Sequence, residues 1–361
     1  MSDFDVIVIG GGPAGCYEHL TAAVKGLRVA LFEEHGAIGR PRHDPGWLME
    51  SQFAKSIIST VGKTVPWRKV KEFRVCKSES GDLIEESPLG GYLVWRDLLE
   101  REIATLAVRA GVNLYLKTKV TKMIRKGGKV EGVETNSDVI PGAKGEVFIC
   151  ADGIRSSLNG FAVKEGLCET GKSSAGVSFL LANADVSVGI IEHFLSSDPL
   201  LDHRSFWGQG KGVTFFSAPS QAALQELRAR EDNVISRRIK DAYPVEISGY
   251  SRGSSGKYAM YFKDMVRDNV MFIGDASGGA GNVHGMIQGQ FAATVASSAI
   301  KERDMSEKRL SEYQDLVLKT LGKAPFVWRA AREDFGSFGN WFREVEAATK
   351  GIEATELTRL A

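Results

Sequence analysis

The chain has 361 residues, with 46 Lys and Arg against 45 Asp and Glu, which gives a formal net charge of +1. At about 150 residues per domain this length predicts roughly two domains. The near-equal numbers of positive and negative residues argue against a protein that binds nucleic acid through bulk charge. A hydrophobic content of 43% with 25% charged residues is typical of a globular protein and excludes a disordered chain.

The cysteine pattern excludes several classes of site. The four cysteines are widely spaced and form no CxxC pair: Cys16, Cys76, Cys150 and Cys168. This spacing argues against a cysteine-ligated iron–sulfur cluster, a structural zinc site or a disulfide framework. We therefore predict no metal site.

No segment has the pattern of a membrane span or of a secretory signal. The longest apolar stretch, residues 177–191, is interrupted by Asn183 and Asp185 and is shorter than the about 18 to 20 residues that cross a bilayer. The apolar run 6–9 comes without a basic region or a cleavage-like site. We expect a cytoplasmic location, with at most peripheral contact with a membrane.

The N-terminal residues predict a strand, a glycine-rich turn, a helix and a second strand. Residues 5–9 form a short apolar run of the kind that is buried on both faces of a parallel sheet. The turn covers residues 10–15, the helix 16–25 and the second strand 28–32. Residues 36–47, which are rich in Gly, Pro and Arg, predict a long functional loop.

Helical and strand patterns continue to alternate up to residue 150. A helix is predicted over 96–110 and a strand over 112–116. Residues 119–134 predict a β-meander with its turn at 127–128. A further buried strand, 146–150, leads directly into an Asp-Gly turn.

The pattern changes between about residues 171 and 263. A helical stretch at 221–243 lies among strand-like runs at 176–181, 189–194, 212–217 and 246–251. This composition is typical of an antiparallel sheet domain inserted between pieces of the first domain.

The last part of the chain returns to the first pattern and then becomes helical. A buried strand is predicted at 270–273 and a helix at 285–301, and residues 307–361 are helical and polar. The aromatic residues of this segment either pack against the main body or form a face that touches a membrane: Phe326, Trp328, Phe335, Phe338, Trp341 and Phe342.

The glycine-rich turn has the spacing of a dinucleotide-binding turn. Gly10, Gly12 and Gly15 fit G-x-G-x-x-G between a predicted strand and helix, and Glu33 lies at the end of the second strand. Gly10 permits the tight turn, Gly12 lets a pyrophosphate approach the backbone, and Gly15 lets helix and strand pack closely. The helix N-terminus attracts phosphate, and Glu33 can accept hydrogen bonds from ribose hydroxyls. The pattern predicts dinucleotide binding.

Two Asp residues that follow predicted strands indicate which dinucleotide is bound. Asp152 follows the strand 146–150, and Asp275 follows the strand 270–273 ahead of a Gly-rich loop and a helix. An elongated cofactor with a ribityl chain and a tricyclic ring, flavin adenine dinucleotide (FAD), needs contacts from such separate parts of the chain. The N-terminus of the following helix, near His284, could point its positive end at the flavin pyrimidine edge.

Three motifs in this order resemble the two-dinucleotide-binding-domain flavoproteins of the p-hydroxybenzoate hydroxylase type. They span nearly 270 residues and read Gly10-Gly11-Gly12-Pro13-Ala14-Gly15, Ala151-Asp152-Gly153-Ile154-Arg155-Ser156 and Gly274-Asp275-Ala276-Ser277-Gly278. Within that group the chain is most similar to the geranylgeranyl reductase branch, on two further segments: Ile38-Gly39-Arg40-Pro41 and Trp95-Arg96-Asp97-Leu98-Leu99. Where that branch often carries a Cys near its flavin, this chain has Asp44.

The resemblance implies an α/β fold with a Rossmann-like FAD-binding domain, an inserted antiparallel-sheet substrate domain and a C-terminal helical segment. The predicted FAD-binding domain is discontinuous and comprises residues 1–70, 96–165 and 264–305. The predicted substrate domain comprises residues 71–95 and 166–263, and the C-terminal segment comprises 306–361.

The resemblance also implies the residues that contact FAD. It places flavin roles on Gly12, Gly15, Glu33, Arg96, Asp152 and Asp275. The other predicted contacts lie in or beside the same segments: Gly10, Pro13, Ala14, Glu34, Arg40, Val120, Gly153, Gly274, Gly285, Met286 and Ile287.

Three residues are candidates for acid–base catalysis. His43 and Asp44 lie in the loop that, by resemblance, borders the flavin, and they could relay a proton. His284 lies in the predicted loop before the flavin-facing helix and could donate a proton or set the electrostatics of the flavin. The alternative is a solvated loop pair for His43 and Asp44, and a capping or turn role for His284.

Four aromatic residues of the sheet domain are candidates either for an apolar substrate pocket or for the sheet core: Phe206, Trp207, Phe215 and Phe216.

The resemblance implies an FAD-dependent reductase that transfers hydride from reduced flavin to a carbon–carbon double bond of an isoprenoid or another hydrophobic substrate, such as a lipid. The alternative is an FAD-dependent monooxygenase that hydroxylates an aromatic or apolar compound, and a third interpretation is a non-catalytic escort for prenylated proteins. The sequence has no second G-x-G-x-x-G, so NAD(P)H would bind only transiently as the reductant. A ferredoxin or an electron-transfer flavoprotein could supply the electrons instead. We expect no nucleic-acid partner.

Overall fold

The chain contains strands and helices, with several runs of consecutive strands. The computed structural model describes residues 2–42, 44–88, 90–154, 156, 160–167, 173–253, 264–278, 281–322 and 336–360. The strands are β1 (Phe4–Ile9), β2 (Val29–Phe32), β3 (Trp47–Leu48), β4 (Trp67–Val70), β5 (Glu72–Lys77), β6 (Leu83–Ser87), β7 (Gly91–Val94), β8 (Asn113–Tyr115), β9 (Val120–Lys126), β10 (Lys129–Thr135), β11 (Gly142–Cys150), β12 (Ser173–Ala182), β13 (Ile190–Leu195), β14 (Arg204–Gly210), β15 (Val213–Ala218), β16 (Tyr243–Gly253), β17 (Val266–Arg267) and β18 (Val270–Phe272). The helices are α1 (Pro13–Val24), α2 (Gln52–Val61), α3 (Arg96–Arg109), α4 (Phe161–Lys164), α5 (Gln221–Ala229), α6 (Val234–Ile239), α7 (Gly281–Glu302), α8 (Glu307–Leu310), α9 (Glu312–Thr320), α10 (Phe338–Ala348) and α11 (Thr355–Leu360), with a 3₁₀ turn at Gly274–Ser277.

Short apolar strands build a parallel sheet in the first domain. The strands β8, β2, β1, β11 and β18 lie side by side in this order and run parallel, and Val6 of β1 is opposite both Val29 and Val147. Val8 belongs to the apolar cluster under α1, whereas Ile7 belongs to the cluster on the opposite face. Burial on both faces explains the continuous apolar runs. The predicted α/β, Rossmann-like fold is confirmed.

The carboxyl ends of three strands meet at one edge of this sheet. Ile9, at the end of β1, is opposite Phe32 at the end of β2 and Cys150 at the end of β11. The residues that follow these strands are Gly10, Glu33 and Asp152. Because parallel strands end at the same edge, three of the segments predicted to hold FAD lie together.

The predicted turn at residues 127–128 is confirmed. Strands β9 and β10 pair antiparallel, and Gly127 and Gly128 join them with φ values of +59° and +83°. Strand β10 also pairs with β11, which attaches the hairpin to the parallel sheet.

The second sheet contains the strands predicted for the inserted domain. Its order is β16, β12, β15, β14, β13, β5 and β6. All neighbours are antiparallel except β13 and β5, which run parallel. The predicted antiparallel sheet is therefore confirmed, with β13 and β5 as its one parallel pair among the described strands. The reason is that β5 and β6 come from an earlier part of the chain, so no hairpin turn sets their direction relative to β13.

A small third sheet links the two domains. Strand β7 pairs antiparallel with both β3 and β4. Although β7 lies within the range 71–95 predicted for the substrate domain, it pairs with strands of the range 1–70. The other domain boundaries stay a prediction.

Two helices begin earlier than the sequence predicts. Helix α1 begins at Pro13 instead of residue 16, and α7 begins at Gly281 instead of residue 285. Glycine is unfavourable inside a helix, so Gly281 and Gly285 conceal the start of α7, while Gly285 and Gly289 face α1. Both allow close packing on α1, since a Cβ at Gly289 would lie 2.6 Å from the Ala14 carbonyl oxygen.

The C-terminal helices pack against the main body. Trp341 and Phe342 of α10 are buried with Trp47 and Phe73 in one apolar cluster, and the Tyr313 hydroxyl donates a hydrogen bond of 2.8 Å to the Phe272 carbonyl. Trp341 and Phe342 therefore pack in the core and do not form a membrane-touching face. Three other aromatic residues of this segment lie outside the described residues: Phe326, Trp328 and Phe335.

Among the described helices, none combines the length and the apolar composition needed to cross a membrane.

Replacing Trp341 by Ala tests this packing. Since the indole is fully buried, Trp341→Ala should lower the free energy of unfolding by about 3 to 5 kcal/mol, measured by urea denaturation. Arg343→Ala, on an exposed position of the same helix, is the control and should change it by less than about 0.5 kcal/mol. Equal effects of the two substitutions would contradict the burial of Trp341.

Candidate flavin site

The glycine-rich turn between β1 and α1 is closed by contacts that exclude side chains. Gly10 has φ +103°, and a Cβ there would lie 2.4 Å from the Ala151 carbonyl oxygen. A Cβ at Gly15 would lie 2.0 Å from the Gly10 carbonyl oxygen. Gly12 differs, because a Cβ there would meet no atom of the described residues within 4 Å, apart from its own chain neighbours. Gly12 thus leaves space at the N-terminus of α1, which is the position expected for a pyrophosphate.

Glu33 closes the same turn from the end of β2. Its Oε2 accepts a hydrogen bond of 2.7 Å from the Gly11 backbone N–H. Its Oε1 lies 2.8 Å from the His35 backbone nitrogen and 2.6 Å from the His35 Nδ1. A carboxylate has further lone pairs, so Glu33 can hold the turn and still accept a ribose hydroxyl. Glu34, by contrast, forms an ion pair with Lys119 at 3.1 Å.

Asp152 has an unsatisfied oxygen at the end of β11. Its Oδ1 is buried and accepts no hydrogen bond from the described residues, and burial raises the pKa of this carboxyl group to about 6. Gly153 follows with φ +66°, and Arg155 lies outside the described residues. A buried carboxyl oxygen without a donor fits a site that a hydroxyl-bearing cofactor completes.

The 3₁₀ turn after β18 is held against α1 and α7. The Gly274 backbone N–H donates a hydrogen bond of 2.7 Å to Gln288 Oε1. Gly274 has φ +65°, and a Cβ there would lie 2.9 Å from the Ala14 Cβ. The next residue, Asp275, is exposed on this turn, and its charge helps to raise the pKa of Arg96. The third motif therefore lies beside the first.

Arg96 is a buried cation between two carboxylates. Its Nε is hydrogen-bonded to Glu100 Oε1, and its Nη1 lies 3.6 Å from Asp44 Oδ2. Although burial disfavours the charge, Glu100 and Asp44 raise the pKa of Arg96 above its ordinary value. Burial in turn raises the pKa of Glu100 to about 7. A cation at the start of α3 is unfavourable for the helix dipole, and Glu100, one turn later, compensates it.

Asp44 connects the loop 40–46 to the start of α7. Its Oδ1 accepts a hydrogen bond of 2.6 Å from the Gly46 backbone N–H and lies 3.2 Å from Asn282 Nδ2. The same Asn282 nitrogen lies 3.2 Å from the Trp47 carbonyl oxygen. Asp44 therefore lies beside Arg96 and Asn282, and its catalytic role stays a prediction, whereas His43 lies outside the described residues.

A small cavity of about 10 Å³ lies where these segments meet, a volume that corresponds to about one water molecule. Its walls come from the glycine-rich turn, the loop before β3, and helices α3 and α7: Pro13, Gly46, Leu48, Val94, Arg96, Leu99, Glu100, Ile103, Asn282 and Met286. Arg96 and Met286, both predicted to contact FAD, face the same space.

His284 does not lie in a loop, contrary to the prediction. It is buried within the first turns of α7, and neither ring nitrogen is hydrogen-bonded by the described residues. Burial lowers the pKa of His284 to about 4, so its imidazole is neutral at pH 7. The prediction failed because the glycines around His284 resemble a turn. A neutral imidazole with this pKa is a poor proton donor.

The remaining predicted FAD contacts are distributed along the edge of the site. Arg40 joins the two domains, with ion pairs to Asp97 at 3.0 Å and Glu246 at 2.5 Å. Val120 begins β9 with its side chain in the apolar cluster around Phe32. The roles of three residues of α7 stay predictions, although all are buried: Gly285, Met286 and Ile287.

The four aromatic residues predicted to line one pocket lie on opposite faces of the second sheet. Trp207 is opposite Phe215, and both belong to the cluster that contains Trp47. Phe206 and Phe216 stack at 5.3 Å in the cluster under α5 and α6. The prediction of a single pocket is wrong because neighbouring residues of a strand alternate between its faces. Phe206 and Phe216 are core residues.

Three residues of the site were missed in the sequence. Glu100 could have been found from its i,i+4 spacing to Arg96. Asn282 had no such signal, because the predicted helix begins only at residue 285. Gln288 lies inside that predicted helix, but no local pattern indicates its hydrogen bond to Gly274.

The residues present fit FAD. Gly12 provides the open approach to the N-terminus of α1, Asp152 provides an orphaned acceptor, and Glu33 provides a carboxylate at the end of β2. These three would hold the pyrophosphate and hydroxyl groups of FAD, while Arg96 and Asp275 place charges beside it.

Alanine at Gly12 should separate FAD binding from folding. Its φ of −76° is an ordinary one, and within the described part of the chain its Cβ would meet nothing beyond its chain neighbours within 4 Å, so Gly12→Ala should keep the apoprotein stability within about 1 kcal/mol. The new methyl group would occupy the approach of the pyrophosphate and should weaken FAD binding at least about tenfold. Flavin absorbance per protein after dialysis measures this loss.

Gly15→Ala is the matched comparison, because its Cβ would collide with the Gly10 carbonyl oxygen. This variant should lose several kcal/mol of stability, measured by urea unfolding. Full FAD retention by Gly12→Ala would contradict the assignment of the pyrophosphate to this turn.

The pH dependence of unfolding tests the burial of His284. With a folded pKa of about 4 against an ordinary 6.5, the unfolded state binds more protons between these values. The free energy of unfolding is thus unaffected by protonation of His284 above pH 6.5, and it falls below that pH because protons bind His284 in the unfolded state first. Between pH 7.5 and 4.5, wild type should lose about 2 kcal/mol more than His284→Leu. Thr294→Ala, on the exposed face of α7, should keep the wild-type slope, and an equal slope in His284→Leu would show a solvated imidazole.

Comparison with known proteins agrees with the geometry. Residues 5–167 match the family described as FAD dependent oxidoreductase. A digeranylgeranylglycerophospholipid reductase of Methanothrix thermoacetophila is 26% identical over 352 aligned residues, which cover 88% of this chain and 84% of the relative.

Solved structures share the fold over nearly the whole chain. A geranylgeranyl bacteriochlorophyll reductase-like protein from Thermoplasma acidophilum has a TM-score of 0.73 at 19% identity and covers 99% of this chain and 90% of its own. A triple mutant of the flavin-dependent brominase Bmp2 has the same TM-score at 18% identity, covering 99% and 97%. These likenesses show the fold, while the sequence matches confirm that the chain resembles FAD-dependent oxidoreductases and, among them, the geranylgeranyl reductases.

Proposed function

We propose that the chain is a reductase that adds hydrogen across a carbon–carbon double bond of an isoprenoid lipid. The observation that carries this proposal is the direct contact between the candidate flavin site and a layer of aromatic side chains. Asn282 is hydrogen-bonded to both Asp44 and the Trp47 carbonyl. The Trp47 ring lies 5.6 Å from that of Trp207 and 6.2 Å from that of Phe73.

This aromatic layer suits an apolar substrate. Trp47, Phe73, Trp207 and Phe215 belong to one cluster between the loop, the second sheet and α10. Sites for apolar ligands are lined mainly by such side chains, with a few polar groups that set orientation. The reductase relatives, which are named for a digeranylgeranyl lipid, support the same substrate class.

The residues of the site have distinct proposed roles. Reduced FAD supplies the hydride when bound. The Arg96 guanidinium and Asn282 amide hold the Asp44 carboxylate beside the aromatic layer, so Asp44 would position its segment next to bound FAD. His284 stays neutral and buried, so the proton for the second carbon comes from this loop or from solvent.

The reductant is proposed to be NAD(P)H or a protein donor, a ferredoxin or an electron-transfer flavoprotein. The substrate would reach the protein from a membrane surface by peripheral contact, and a cytoplasmic location is consistent with both.

Anaerobic reoxidation of the flavin tests the proposal. The FAD-loaded protein is reduced with dithionite or, separately, with NADPH, and then mixed with geranylgeraniol or with air. We expect the lipid to restore the flavin absorbance faster than oxygen does, with a product heavier by two hydrogen atoms. Asp44→Asn should slow this step about tenfold or more, whereas Asp185→Asn, in a loop of the second sheet, should not.

Rapid oxidation by air with a hydroxylated product would instead favour the monooxygenase alternative. A protein that retains no flavin after purification would favour the escort alternative.

A further inference from the structure

Arg42 is a charged side chain that the proposed chemistry does not use. Its side chain is only 1% exposed. Its Nε, Nη1 and Nη2 are all buried, and none donates a hydrogen bond to a described residue. A guanidinium group has five N–H donors, and leaving buried donors unpaired is costly. The described part of the chain therefore supplies no hydrogen-bond acceptor for these donors.

The aromatic neighbours of Arg42 come from two segments that lie far apart in the sequence. Its guanidinium carbon lies 4.8 Å from the Trp95 ring centre and 5.9 Å from that of Phe215. Trp95 directly precedes Arg96 of the flavin site, and Phe215 belongs to the second sheet. Arg42 thus lies between the candidate flavin site and the aromatic layer proposed to receive the substrate.

The nearest carboxylate is committed to another residue. Glu246 Oε2 lies 3.5 Å from Arg42 Nη2, which is an ion pair without a hydrogen bond. The other oxygen of Glu246 is hydrogen-bonded to Arg40 at 2.5 Å, and Arg40 also pairs with Asp97. Arg40 therefore forms ion pairs with two carboxylates, whereas Arg42 forms only the longer ion pair with Glu246.

Burial lowers the pKa of Arg42, which the Glu246 carboxylate partly offsets, but an arginine stays charged in any protein environment. The site thus holds a fixed positive charge whose planar, forked donors match two oxygens of a phosphate or carboxylate.

We propose that Arg42 binds the anionic head of the substrate, a phosphate or carboxylate oxyanion, and so fixes its polar end relative to the flavin. This inference rests on the proposed function for the identity of the apolar part, but the oxyanion site itself is independent of it. The hydrocarbon part would then lie along the aromatic layer at Trp207 and Phe215. Glu246 would compete with the ligand for Arg42.

Binding to the FAD-loaded protein, measured by calorimetry, tests the site without catalysis. Geranylgeranyl phosphate should bind wild type at least about tenfold more tightly than geranylgeraniol, because charge-assisted hydrogen bonds are among the strong ones. Arg42→Met should remove this preference and leave the affinity for geranylgeraniol within about twofold. Arg101→Met is the matched control, since Arg101 is 43% exposed, and it should keep the preference.

Two further variants keep the test informative if Arg42→Met folds poorly. Arg42→Lys keeps the charge but loses the fork, so it should show an intermediate preference. Glu246→Gln removes the competing carboxylate and should tighten binding of the phosphate. Because the buried Arg42 guanidinium donates no hydrogen bond to a described residue, Arg42→Met should not lower the melting temperature in the absence of ligand.

The source of the oxyanion is distinguished by inorganic phosphate. Competition by inorganic phosphate against geranylgeranyl phosphate, but not against geranylgeraniol, is the expected result. If inorganic phosphate binds wild type while the lipid phosphate has no advantage over the alcohol, the site belongs to a free anion and the substrate assignment is overturned. If Arg42→Met changes the affinity for neither inorganic phosphate nor geranylgeranyl phosphate, water completes the hydrogen bonds of Arg42 and the proposal is wrong.

Failure of the two proposals can be told apart. Reoxidation of the flavin by geranylgeraniol needs no anionic group, so its absence contradicts the reductase function alone. A normal reoxidation with equal affinities for phosphate and alcohol contradicts the role of Arg42 alone.

Discussion

The close approach of Gly15 to the Gly10 carbonyl oxygen is the constraint on which the site depends. A Cβ at Gly15 would lie 2.0 Å from that oxygen, so α1 can begin directly behind β1 only with glycine there. A second close backbone contact that excludes a side chain occurs where Gly289 of α7 lies against the Ala14 carbonyl. Through these contacts α7 crosses α1 closely enough to place Asn282 beside the turn. A side chain at either glycine would therefore displace both the turn and α7, which belong to different motifs.

Once the helices are close, buried charge determines what the site can do. Arg96, Glu100 and Asp44 form one row, with Glu100 and Arg96 almost fully enclosed. With both carboxylates ionised the row carries a formal charge of −1, and with Glu100 protonated it is neutral. Because burial brings the pKa of Glu100 to about 7, this charge changes near neutral pH, next to the proposed flavin. Coulomb interactions of buried groups are screened weakly, so the protonation state of Glu100 affects any charge that develops there.

Features that a few neighbouring residues specify could be predicted from the sequence, whereas contacts between distant segments could not. The turn at Gly10–Gly15, the strand end at Glu33 and the Asp-Gly turn are each specified within a few residues, and the structure brings them together because parallel strands end at one edge. The pairing of β5 with β13, and the contact of Arg42 with Phe215, join residues far apart in sequence, and no local pattern indicates them. The start of α7 was misplaced for a different reason: its glycines serve helix packing, whereas glycine in a sequence usually indicates a turn. The four aromatic residues were grouped by proximity in sequence, although the period of a strand separates them.

The position of the aromatic layer constrains the source of the proton under the proposed function. Behind the site, α7 presents His284 with a pKa of about 4, and α3 presents Glu100, whose proton is shielded by Arg96. Asn282 is hydrogen-bonded to both Asp44 and the Trp47 carbonyl, so Asp44 and Asn282 place polar groups next to the aromatic layer. Arg42, which contacts Phe215 of the same layer, would hold the polar end of a substrate. Bound FAD would supply the hydride, and the proton would come from the loop that carries Asp44 or from solvent, since neither His284 nor Glu100 is a ready donor.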